Sequence, residues 1–230
     1  MMPSRFPGLL LALVLPLLSP LPLRRPAVAK SFLPSRPNPA LHFTAYSRQQ
    51  FLRLPAAASD PSEKASLLAA RGQVVRRRGQ LLITLDNGKV VRLTNHDGDN
   101  PDTYAQYRFY GRIPALQSWL VEVTGWENGH TLLIEQTTGK QTRLWSAPVL
   151  APDQLHFVTH KSGFIFDDDN GLQYWAIRGH APVKLWEYQL ESWGPEEVRW
   201  INNTSIAIRQ QRADDQPTAP RRYVSVRLTP

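Results

Sequence analysis

Along residues 118–124 the side chains alternate, with Trp119, Val121 and Val123 on one side and Leu120, Glu122 and Thr124 on the other. A period of two marks a β-strand with one face buried and the other wetter, so this segment is predicted as a strand. The Glu127-Asn128-Gly129 step follows it, and an Asn-Gly pair supplies the positive φ angles of a tight hairpin. Residues 131–136 return as the partner, Thr138-Gly139 turns the chain again, and 140–145 run back along the sheet. In 148–158, PVLAPDQLHFV, two apolar runs are split by Pro152-Asp153-Gln154, where proline fixes φ and removes a ladder donor. A second unit begins there.

The same pattern extends in both directions. Strands are predicted at 73–78, 80–85 and 89–94, with Asp86-Asn87-Gly88 as a hairpin turn, and at 107–113 after the polar loop 96–102. Beyond Val158 come 164–166, the turn Asp167-Asp168-Asp169-Asn170-Gly171, and strands at 172–177 and 182–190. Strands at 198–201, 205–209 and 223–228 close the chain, the last preceded by a polar excursion over 210–220. Upstream, 61–70 reads as a short helix with Asp60 as its cap, Pro61 at the first helical position and Glu63 in the first turn. The proline-rich stretch 30–60 reads as a linker carrying an ordered piece within 41–54, whose spacing suits a helix or an extended segment equally.

Residues 1–29 have a basic start at Arg5, an apolar run over 6–23 and the small-x-small triplet Ala27-Val28-Ala29, the order of a cleavable secretory signal. Pro7, Pro16, Pro20 and Pro22 interrupt the run, which argues against a membrane-spanning helix. Arg24 and Arg25 lie between the run and the triplet, an unusual place for charge. The expected organisation is a signal peptide at 1–29, a linker with a short helix at 30–72 and a β-meander domain at 73–230, located in the periplasm or secreted.

Three stretches, 113–123, 149–158 and 198–208, share one grammar: apolar run, proline or asparagine turn, alternating strand. They begin 36 and 49 residues apart, within reach of the roughly 40 to 50 residues of one propeller blade. The fold class expected is therefore all-β, antiparallel four-stranded meanders in a propeller-like array. The run from Pro148 to Asp153 followed by Leu155-His156-Phe157-Val158 resembles the SPDG repeat of TolB-type WD40-like propellers, with Ala151 and Gln154 standing at the serine and glycine places. Residues 73–158, with Gly88-Lys89, Leu132-Leu133-Ile134, Thr138-Gly139-Lys140 and the Pro152-Asp153 turn, look like uncharacterised exported β-meander proteins of Gram-negative bacteria. That resemblance covers the central third of the chain and implies a periplasmic or secreted propeller-like domain, without a defined activity or catalytic residue.

Composition narrows the chemistry. The 230 residues contain no cysteine, which excludes disulfides and thiolate metal sites. The formal charge of +8 falls to +5 once residues 1–29, with three arginines and no acids, are removed. That is too mild a balance for a nucleic-acid groove, and cations on strand edges also discourage sheet-to-sheet association. No glycine-framed serine, paired carboxylates, histidine-glutamate zinc motif or phosphate loop is present. Asp167-Asp168-Asp169 lacks the glycine and glutamate of a calcium loop, and His156 and His160 stand about 13 Å apart along a regular strand, too far for one metal. No catalytic residue, metal or cofactor is expected.

The seven tryptophans all fall between Trp119 and Trp200. Trp119, Trp145, Trp175, Trp186 and Trp200 are placed in strands as core, whereas Trp126 and Trp193 adjoin turns, where aromatic side chains suit recognition. The expected function is a binding or scaffolding module of the cell envelope. Its partner is another envelope protein or a surface glycan, not nucleic acid, and it is met by loops carrying Trp126, Trp193, Asp167 and Asp169. A hydrolase with a dispersed site, or an inhibitor or immunity-type partner of another envelope protein, are the alternatives.

Overall fold

Four separate antiparallel sheets make up the computed structural model, which describes residues 40–56, 60–127, 129–163, 169–212 and 220–229. The predicted signal, Asn128 and the predicted strand at 164–166 lie outside the described residues. Sheet I holds β2 (Val74–Arg77), β3 (Gln80–Thr84) and β4 (Val90–Thr94). Sheet II holds β5 (Gln106–Ile113), β6 (Ser118–Thr124), β7 (Gly129–Glu135) and β8 (Gln141–Leu144). Sheet III holds β9 (Val149–Leu150), β10 (His156–Lys161), β11 (Gly171–Arg178) and β12 (Ala181–Gln189). Sheet IV holds β13 (Gly194–Asn202), β14 (Ser205–Gln211) and β15 (Arg222–Arg227), with β1 (Thr44–Ala45) paired to β15 as its fourth strand. The antiparallel all-β class is as expected. Sheet I, however, has three strands rather than four, and no described sheet closes on itself.

The sheets are stacked in a row, and apolar side chains fill each of three interfaces. Leu81, Ile83 and Leu93 of sheet I meet Phe109, Trp119, Val121 and Ile134 of sheet II. Leu120, Leu133 and Leu144 of sheet II meet Phe157 and Trp175 of sheet III. Val158, Leu172, Tyr174 and Trp186 of sheet III meet Val198, Trp200, Ile206 and Ile208 of sheet IV. This corrects the wetter face expected of β6: Leu120 is as fully buried as Val121, because sheet II is covered on both sides. The five tryptophans assigned to the core are buried, none more than 8 % exposed, although Trp145 lies just past the end of β8.

The turn predicted at Asp86-Asn87-Gly88 forms as written, whereas those at 127–129 and 167–171 include residues outside the described ones. Asn87 Oδ1 accepts the Lys89 N–H at 2.9 Å, and Gly88 takes φ +79°, a left-handed conformation that glycine adopts at little cost. The turn also reaches sheet II, where Asn87 Nδ2 donates to the Thr137 carbonyl at 2.7 Å. Upstream, the ordered piece in 41–54 is both things its spacing allowed. Thr44–Ala45 is a strand, and α1 (Arg48–Arg53) follows it, with Ser47 and Gln50 forming a reciprocal capping box. Phe51 of α1 is fully buried, and Arg199 of β13 lies over its ring at 4.6 Å and donates to the Leu54 carbonyl at 2.9 Å.

The helix predicted at 61–70 is α2 (Glu63–Ala69), and its cap is Ser62, whose hydroxyl accepts the Ala65 N–H. Asp60 does not cap it, because its carboxylate is taken by Arg108 of β5 at 2.9 Å. Glu63 joins three elements: its carboxylate pairs with Arg76 of β2 and accepts the Phe109 N–H of β5 at 2.8 Å. Burial pushes that carboxyl up, but the Arg76 and Phe109 hydrogen bonds outweigh it and hold Glu63 below the usual glutamate range.

Replacing Glu63 by Gln is expected to lower stability by about 1–3 kcal/mol at neutral pH, the scale of a charge-assisted hydrogen bond lost beside a half-buried arginine. A depressed carboxyl contributes its stability above its unfolded pKa and loses it as pH falls through the folded value. Urea unfolding should therefore show the gap between wild type and Glu63→Gln closing on acidification. A gap independent of pH contradicts the assignment.

Candidate functional site

Two recesses stand out among the described residues. The larger, about 580 Å³, lies where the first strands of sheets II, III and IV approach one another. Ile113 of β5, Leu120 of β6, Val149 and Leu150 of β9 and Trp200 of β13 make its walls, and Pro55 and Ala56 border it. His160 of β10 is its one titratable imidazole, with Nδ1 2.9 Å from the Pro195 carbonyl. Burial pulls its pKa below the ordinary histidine value, against the opposing pull of the Pro195 carbonyl and Glu197. Ser146, also on the wall, accepts the main-chain N–H of His160 at 3.1 Å. The contact between the two residues runs through the main chain of His160, while the imidazole is turned to Pro195.

The second recess, about 480 Å³, is a groove at the loop end of sheet II. It is built from the β4–β5 and β6–β7 connections. Asn100-Pro101 turns the first of these: Asn100 Oδ1 accepts the Asp102 N–H at 3.0 Å and the Asn100 carbonyl accepts the Tyr104 N–H at 3.0 Å. That brings Asp102 and Tyr104 to the groove. Trp126, after Gly125, completes the opposite side, 50 % exposed and edge-on to Tyr104 with ring centroids 5.6 Å apart. Glu127, Tyr107 and His130 add to the lining, over an apolar floor of Val123 and Leu132. Burial, with help from Arg143 and Lys161, pushes the His130 pKa down to about 4, so its imidazole is neutral at pH 7.

The residues singled out from sequence do not gather in one place. Trp126 lies in the groove, as an exposed aromatic beside a turn. Trp193, in the β12–β13 connection, packs on the core between sheets III and IV and meets Phe43 edge-on at 5.2 Å, so its ring serves packing and does not border the groove. Asp169 is half-buried next to Asn170, which donates to the Leu190 and Trp193 carbonyls, and it too is away from the groove. Asp167 lies outside the described residues. His156 stacks on Tyr174 at 5.4 Å while His160 turns to Pro195, and among the described residues no three histidine, aspartate or glutamate side chains cluster as metal ligands.

Sequence reasoning missed Tyr104 and His130. The Asn100-Pro101 turn was the local signal for Tyr104; no local signal existed for the cavity at His160, which needs three sheets to form. Several arginines are paired with carboxylates in place. Arg108 pairs with Asp60 and Glu122, Arg199 with Glu197, and Arg209 with Glu196 and Glu197. Among the described residues no helix is long and apolar enough to cross a membrane.

A histidine held neutral in the fold binds its proton more weakly than in the unfolded chain, so stability is lost as pH falls from about 6.5 towards about 4. In His130→Asn that part of the decline is absent. Thermal unfolding followed between pH 7 and pH 4.5 should fall less steeply for the variant than for wild type, and parallel profiles contradict the burial of a neutral His130. Comparison of the chain with protein-family models, with curated proteins and with solved structures finds no match.

Proposed function

We propose that this protein is exported and acts in the cell envelope as a binding or scaffolding module, meeting another envelope protein or a surface glycan through the groove at Trp126. Its four meanders serve as a propeller-like frame of the kind that the TolB-type resemblance implies, and recognition falls to connections at one end of the sheets. The observation that carries this reading is Trp126 itself. A tryptophan half open to solvent beside an ordered tyrosine, on a groove of about 480 Å³, leaves apolar area uncovered that a partner would bury.

The rest of the lining supports recognition rather than turnover. Asp102 and Glu127 offer carboxylate acceptors and His130 a neutral imidazole around the aromatic pair, a mixture suited to hydroxyl and amide groups. The signal-like order of residues 1–29 supports export.

The test compares wild type with Trp126→Ala and, as a control, Trp193→Phe. Each immobilised protein is challenged with detergent-solubilised envelope proteins and, separately, with envelope polysaccharide. Truncating a central aromatic contact typically costs at least about tenfold in affinity. Trp126→Ala should lose retention on that scale in one of the two arms while Trp193→Phe keeps it. Equal retention by all three proteins in both arms refutes the groove as the contact.

A further inference from the structure

The cavity among sheets II, III and IV is distinct from the groove at Trp126 and carries its own inference. We propose that it binds an uncharged amphipathic small molecule, its apolar body against Ile113, Leu120, Leu150 and Trp200, its one hydroxyl or N–H donated to Nε2 of His160.

Size and lining set the first half of this assignment. A volume of about 580 Å³ falls within the range of small-molecule sites, roughly 300–1,000 Å³. No aspartate, glutamate, lysine or arginine lines it. A charged ligand would give up part of its water there without a counter-charge on the wall, at a cost that an uncharged one avoids.

The polar groups of the wall set the second half. Nδ1 of His160 is 2.9 Å from the Pro195 carbonyl, which can only accept, so Nδ1 carries the proton and Nε2 presents a lone pair. Among the described residues nothing donates to Nε2. The remaining polar groups of sheets III and IV are already engaged. Ser146 accepts the His160 N–H and donates to the Ala147 carbonyl at 3.3 Å, while Trp200 Nε1 donates to the Val149 carbonyl at 2.9 Å. Tyr110 of sheet II also lines the cavity, with a hydroxyl that can give or take a hydrogen bond, so the imidazole is the wall's directed acceptor without a proton of its own to offer a ligand. A carboxylate or sulfonate would meet that lone pair with its own.

N-phenyl-1-naphthylamine has the stated chemistry: two aromatic groups, no charge, one N–H, and fluorescence that rises on leaving water. Titrated into the folded protein it should bind saturably at one site, in the range of about 1–10 µM expected for a small apolar ligand with one hydrogen bond. Two analogues separate the contributions. 8-Anilinonaphthalene-1-sulfonate, a similar body bearing a charge, and N-methyl-N-phenyl-1-naphthylamine, which lacks the donor, should each bind about tenfold or more weakly, the worth of one directed hydrogen bond. Ala147→Trp, which fills the chamber, should abolish binding, and His160→Phe should erase the preference for the N–H compound over its methylated analogue. Circular dichroism establishes that each variant is folded, and the analogue series needs no variant at all. Absence of saturable binding to folded wild type, equal binding of the three dyes, or full affinity in folded Ala147→Trp overturns the proposal.

Discussion

No sheet in this protein has a core of its own. A three- or four-stranded meander buries little by itself, and an isolated sheet of this size is marginal in water. Stability comes from the contact of one sheet's face with the next, in three apolar layers arranged in a row. Sheets II and III are covered on both faces, which is why their strands carry apolar residues in succession: Leu132, Leu133 and Ile134 serve three positions and two different layers. The chain has no cysteine to staple such an array, so side-chain burial and the contacts between turns must hold the sheets in order.

Polar contacts at the layer edges fix how the sheets are set against each other. The Asp86–Gly88 turn of sheet I is bonded to the Gln136–Thr137 turn of sheet II. Between sheets II and III, the buried Gln173 accepts from the Trp145 N–H and from Thr159 Oγ1 while donating to Glu187. Buried polar groups of this kind cost stability unless every one is satisfied, and once satisfied they favour one arrangement over its neighbours. At the far end, β1 completes sheet IV and α1 lays Phe51 against Arg199 and Tyr223 on the face of that sheet turned away from sheet III. The cavity and the groove are consequences of this packing. One opens where three first strands meet, the other where two loops leave sheet II.

Local pattern was enough for most of the strands and turns. The alternation at Ser118–Thr124, the Asn87-Gly88 and Thr138-Gly139 steps and the Pro152-Asp153 break each encode a local conformation, and these formed. What depends on distant contacts was not legible. The burial of Leu120 is decided by sheet III, the release of Asp60 from helix capping by Arg108, and the pairing of Thr44–Ala45 with β15 by a partner some 180 residues away. The site followed the same division. Trp126 was readable as an aromatic beside a turn, but Trp193, with the same local signature, is drawn into the core by Phe43. His160 acquires its meaning from Pro195 on a neighbouring sheet.

A row of sheets sharing faces has a mechanical consequence: damage in one layer spreads to the two sheets that share it and weakens with distance. Hydrogen exchange followed by mass spectrometry on Ile134→Ala, which opens the layer between sheets I and II, measures this directly. The arrangement described here requires faster exchange in residues 74–94 and 106–144 with the strands of sheet IV, 194–227, left at wild-type protection. Uniform loss of protection over all four sheets, or loss confined to β7 and its two hydrogen-bonded neighbours, would contradict it.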